Sequence, residues 1–171
     1  VNTILSKFAG VIISIFLIVF TSRIMGAEGR GYISILTFDI TLVTIFSNVI
    51  GGTALVFLVP RYNFIKLYVL SFIWNILICV IAWPLLFFTG LLPEIFTEHF
   101  FLLCLFQNLI NTHQNLLLAK QQIKSYNLSP LIMNGLNLSV FLCLFYAQKP
   151  GMYSFLISLY LAYLITAIVS F

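Results

Sequence analysis

The chain has 171 residues, of which 62% are hydrophobic and 7% charged, with a mean hydropathy of +1.14. A soluble domain carries about 25% charged residues and still leaves roughly a third of its surface unburied, so this composition excludes an ordinary water-soluble domain. The net charge of +4 rests on few groups, and in an apolar chain such a balance reads as membrane topology, not as a nucleic-acid surface.

Lipid requires a backbone that satisfies its own hydrogen bonds, which leaves helices or a closed barrel. The apolar runs here are about 20 residues long, not alternating segments of about 10, and that length selects helices. In chain order they predict helices over residues 3–22, 32–59, 64–88, 99–119, 129–147 and 152–171. A polar, glycine-rich turn from Ser22 to Gly31 separates the first two, and Pro60-Arg61 stops the second. Pro84 is a candidate kink in the third. The fourth is framed by the segment 89–98 and by a polar loop from Lys120 to Asn127. Ser129-Pro130 reads as an N-cap followed by proline at the first helical position, and Gln148 to Gly151 closes the fifth helix. The fold class is therefore all-α: a polytopic membrane protein of about six transmembrane helices in one lobe, with short loops that make successive helices antiparallel neighbours. The chain starts at Val1 and ends at Phe171 within an apolar run. We read it as a fragment or incomplete chain whose first helix is retained, not a cleaved signal peptide.

Lysines and arginines orient the bundle. With a cytoplasmic N-terminus, Lys7, Arg61, Lys66, Lys120 and Lys124 lie inside, and Arg23, Arg30 and Lys149 lie outside with Glu28, Glu94 and Glu98. The excess of inner cations supports that orientation.

Charged and amide groups within apolar runs need a reason. Asp39 lies about eight residues into the second helix, and it reads either as a coupling-ion or substrate contact or as an acid satisfied near the headgroups or by a neighbour. Thr37, Thr41, Thr44, Asn48, Gly51 and Gly52 share a narrow face opposite Asp39. If that small-residue face packs on a neighbour, Asp39 points to a cavity or to lipid. On the fourth helix Gln107, Asn108, Asn111, Gln114 and Asn115 fall within roughly 120° of arc. Each unsatisfied polar group facing lipid costs several kcal/mol, so these amides either line a water-filled cavity or bond across to other helices. Asn134 and Asn137 on the fifth helix and Asn75 on the third offer partners or further lining. Amides both donate and accept, which suits hydroxyl-rich cargo.

His113 lies off the amide face and reads as an interhelical hydrogen-bonding residue, while His99 reads as solvated near the interface. Tyr153, Tyr160 and Tyr163 are either interface anchors or cavity lining. Cys79, Cys104 and Cys143 lack metal-ligand spacing and read as small buried apolar residues. No phosphate loop, dinucleotide fingerprint, paired-histidine metal site or nucleophile elbow is present. No catalytic residue, metal or cofactor is therefore expected.

The segment Arg23-Ile24-Met25-Gly26-Ala27-Glu28-Gly29-Arg30-Gly31-Tyr32 resembles the loop after the first helix of bacterial polysaccharide flippases of the O-antigen type, which belong to the multidrug/oligosaccharidyl-lipid/polysaccharide transporter superfamily. Asn48 to Leu55, followed by Pro60-Arg61, is similar to a second stretch of that family. The resemblance is carried by residues 1–65 and picks out Arg23, Gly26, Glu28 and Gly31. It implies the N-terminal lobe of a two-lobe carrier with about 12 to 14 helices in all, and a C-terminal lobe absent from this chain. The implied cargo is oligosaccharide linked to a lipid of the undecaprenyl diphosphate type. The implied setting is the bacterial cytoplasmic membrane, with polysaccharide assembly proteins as partners and rocking of the lobes as mechanism. Alternatives are a drug or metabolite exporter of the same superfamily, a membrane-embedded glycosyltransferase or acyltransferase, and a scaffold without transport. The amide stripe argues against the last.

Overall fold

The computed structural model describes residues 3–147 and 151–170, and among them helices are the only long regular structure. They are α1 (Thr3–Gly51), α2 (Thr53–Leu58), α3 (Phe64–Phe88), α4 (Thr97–Ala119), α5 (Ile123–Ala147) and α6 (Met152–Val169), with a 3₁₀ turn at Glu94–Phe96 ahead of α4.

α1 consists of two arms. Its one non-helical residue is Gly26, at φ 72° and ψ −174°, a region essentially restricted to glycine. Arg30 Nη1 donates to Thr21 Oγ1 at 3.3 Å, although nine residues of continuous helix would separate the two by about 13 Å. The chain therefore turns sharply here. The direction of the turn follows from the partners of each arm. The first arm runs alongside α5 in the same sense: Asn127 bonds Thr3, Gly10 faces Leu131, and Asn134 bonds Ser14. The second arm runs with α4, through Asn48 with Asn111 and Gly51 with Asn115. α4 and α5 are antiparallel across a tight turn in which Gln121 takes φ 56°. The two arms are thus antiparallel. α3 opposes α4, with Trp83 bonded to the Thr97 carbonyl and Asn75 to Thr112. α6 follows α4, with Tyr160 at His99 and Ser170 at His113. Six long helical segments alternate in direction, with α4 at the centre in contact with every other helix.

Several boundaries differ from the sequence expectation. The turn expected from Ser22 to Gly31 contracts to Gly26, and residues 27–31 are helical. A Cβ on Gly29 would stand 2.7 Å from Met25 Cβ, so this corner is built for glycine. The second helix, expected to reach residue 59, breaks at Gly52 and resumes as α2. A Cβ at Gly52 would lie 2.4 Å from the Asn48 carbonyl oxygen. α3 matches its expected limits and runs through Pro84 without interruption. Asn63 caps it by accepting from the Ile65 amide at 3.0 Å. α4 begins two residues earlier than expected.

Ser129-Pro130 is not a helix start. α5 begins at Ile123, Pro130 lies inside it, and Ser129 accepts a hydrogen bond from Gln114 across the helix pair instead. Proline forgoes only one backbone bond at that point. The expected turn at Gln148–Gly151 with Lys149, and the last residue of the sixth helix, fall in part outside the described residues.

The chain is an all-α, polytopic membrane protein. The span Thr3–Leu58, α3, α5 and α6 are each long and apolar enough to cross a bilayer. Large apolar side chains such as Phe8, Phe16, Phe38, Ile45, Val69 and Val80 are exposed, which suits contact with acyl chains. The interior is centred on α4, where Phe100, Leu103, Cys104 and Ile110 are fully buried. The alternation of segments puts Lys7, Arg61, Lys66, Lys120 and Lys124 at one end of the bundle and Arg23, Glu28, Arg30, Glu94 and Glu98 at the other.

Candidate functional site

The polar groups of α4 are joined to its neighbours. Asn111 Nδ2 donates to Asn48 Oδ1 at 2.6 Å, and Asn115 Nδ2 donates to the Gly51 carbonyl at 3.0 Å. Gln114 reaches Ser129 on α5 at 3.3 Å. Asn108 is fully buried and donates to Cys79 Sγ at 3.4 Å. Behind this row, Asn75 of α3 donates to Thr112 Oγ1 at 3.0 Å and to the Asn108 carbonyl at 3.5 Å, and Ser47 donates to Asn75 Oδ1. Close approach makes the network feasible: a Cβ on Gly51 would lie 3.3 Å from Thr112 Oγ1.

Of the two readings left open for the amide stripe, bonding between helices is the one seen for Asn108, Asn111, Gln114 and Asn115. Asn108, with no exposure, lines no open cavity. Gln107, Asn111, Gln114 and Asn115 are half-buried, and Gln107 Oε1 has no hydrogen-bond partner. On α5, half-buried Asn134 donates to Ser14 at 3.2 Å. Asn137 is buried and accepts from Ser158 of α6 at 2.8 Å.

The packing of the second arm corrects the sequence expectation. Ile33, Leu36, Asp39, Ile40, Val43 and Ser47 form its buried face, while Thr37 and Thr41 are exposed and Thr44 and Asn48 half-buried. Only the glycine end of the small-residue face, Gly51 and Gly52, is buried. The threonines can remain outside because each hydroxyl bonds the carbonyl four residues back, at 2.7 to 2.8 Å. Asp39, 1% exposed, points into the bundle, not to lipid or open water. Neither carboxylate oxygen has a hydrogen-bond partner. An unpaired ionised carboxylate in such a setting costs several kcal/mol, so the pocket tolerates a neutral or cation-paired carboxyl.

His113 ties three helices together, with Nε2 3.0 Å from Tyr68 Oη and Nδ1 3.1 Å from Ser170 Oγ. Its interhelical role fits expectation, but nothing in the sequence marked Tyr68 or Ser170 as its partners. His99, expected to be solvated, is half-buried, edge-on to Tyr160, whose hydroxyl donates to the His99 carbonyl at 3.1 Å. Tyr163 is buried and Tyr153 exposed. Cys79 and Cys104 are buried, whereas Cys143 is exposed against expectation.

At the α1 corner, Gly26 carries the backbone requirement, and Arg23 and Glu28 are exposed. Gly31 is also exposed, and a Cβ there would meet nothing within 4 Å. Among the described residues no cluster of three or more histidine, cysteine or acidic side chains suits a metal ion. Comparison of the chain with protein-family models, with curated proteins and with solved structures returned no match.

Proposed function

We propose that this chain is one lobe of a membrane transporter that flips lipid-linked oligosaccharide from the cytoplasmic to the outer leaflet. The observation that carries the reading is a polar strip on the outside of an apolar bundle. Ser34, Thr37, Thr41, Thr44 and Asn48 follow one line along the second arm of α1, and Asn48 continues it to Asn111 on α4. Lipid tolerates such a strip because its hydroxyls donate to their own helix, but gives it no use, whereas a hydroxyl-rich cargo passing between two lobes can donate to the oxygens that remain as acceptors. The glycine corner at Gly26, which underlies the family-like loop, supports the same reading. In it the basic end of the bundle is cytoplasmic, six segments cross the membrane, and Asp39 is a candidate for coupling to a proton or cation. The lobe performs no covalent chemistry.

Deletion of the full-length gene tests this. Lipid-linked repeat units are expected to accumulate on the cytoplasmic leaflet while surface glycan falls. Normal surface glycan would contradict the proposal. Unchanged glycan with raised sensitivity to apolar drugs would favour the exporter of the same superfamily.

A further inference from the structure

A groove of about 560 Å³ runs between the first arm of α1 and α5. Lys7 stands at one end, and Gly10, Val11, Ile15, Ile18 and Leu131 line its length. From Lys7 to Ile18 the helix rises about 16 Å, which matches half of a hydrocarbon core about 30 Å thick. The groove is therefore one leaflet deep, largely apolar within apart from the hydrogen-bonded Asn134–Ser14 pair, and cationic where the headgroups lie. Lys7 shares that end of the bundle with Lys120 and Lys124, while Glu28, Glu94 and Glu98 are at the opposite end. Asn127, 6% exposed, also lines the groove. It donates to Thr3 Oγ1 at 3.0 Å and ties the two helices together at the cationic end of the groove.

The geometry points to a binding site for one anionic phospholipid. One acyl chain fills the groove, and the phosphate meets Lys7. A polyprenyl chain is much longer than one leaflet. The site does not depend on the transport reading, since it lies on the side of α1 that packs against α5.

The test is lipid retention by the purified full chain, taken from bilayers of phosphatidylcholine with a minor fraction of phosphatidylglycerol and analysed by native mass spectrometry. Wild type is expected to retain one phosphatidylglycerol, favoured about fivefold over phosphatidylcholine, the attraction typical of one lysine near a charged surface. Lys7→Gln should abolish the preference while lipid is still retained. Val11 is 56% exposed, so Val11→Trp should fill the groove without disturbing the helix contact, and retention should be lost. Equal retention of the two lipids by wild type, or an undiminished preference in Lys7→Gln, would overturn the proposal. So would displacement of phosphatidylglycerol by equimolar polyprenyl phosphate.

Discussion

Three helices meet at Asn75. It links Ser47 of α1 with Thr112 and the Asn108 carbonyl of α4, and it is fully buried. Interhelical hydrogen bonds in membranes average about 0.6 kcal/mol and reach about 1.7; stranding a buried partner adds to that. Asn75→Ala should therefore lower stability by about 2 kcal/mol in a reversible unfolding measurement in bicelles, and a loss below about 0.5 kcal/mol would deny the network its structural role. Asp39 behaves differently, because it has nothing to lose. Asp39→Asn keeps the shape and removes a group that is costly to ionise in that pocket, so stability should hold or rise. A loss above about 2 kcal/mol would mean that the carboxylate has a partner after all.

Among the elements, α1 is the most sensitive to a single atom. Gly26→Ala places a side chain in a region reserved for glycine and should cost about 1–3 kcal/mol. Gly31→Ala, with open space around it, should stay within about 0.5 kcal/mol. Equal effects at both positions would contradict the corner described here. The same element shows how far sequence reasoning reaches. Hydropathy places the long segments well, because lipid demands long apolar runs, and α3 shows this at both ends. It could not choose the buried face of the second arm. Hydroxyls that bond their own helix can face outward, so small polar residues did not identify the packing side. Ser129-Pro130 misled for a related reason: its cap-like pattern was real, but Ser129 serves a contact with α4 visible only in three dimensions. The amide stripe was legible as polar and intramembrane. That Asn111, Gln114 and Asn115 bond across while staying half-buried depends on the partners Asn48, Ser129 and Gly51, and those come from other helices.

At the scale of the whole molecule, alternation of the six segments segregates the charges. With the endogenous Cys143 replaced by serine, Tyr62→Cys at the basic end should be labelled from one side only, the cytoplasmic one in the proposed orientation, and Glu94→Cys only from the other. Labelling of both from one face would refute the alternating topology. The polar strip of α1 should behave as water-lined: Thr41→Cys should react with an aqueous thiol reagent several times faster than Ile45→Cys, which is exposed but apolar. Equal rates would place both in lipid.

The transport reading is tested most directly by reconstituting the full-length protein in proteoliposomes and following a lipid-linked oligosaccharide from one leaflet to the other with a membrane-impermeant glycosidase. Protein-dependent translocation is expected, slowing when Thr41 and Asn48 are replaced together by leucine. A rate no faster than protein-free liposomes would contradict it.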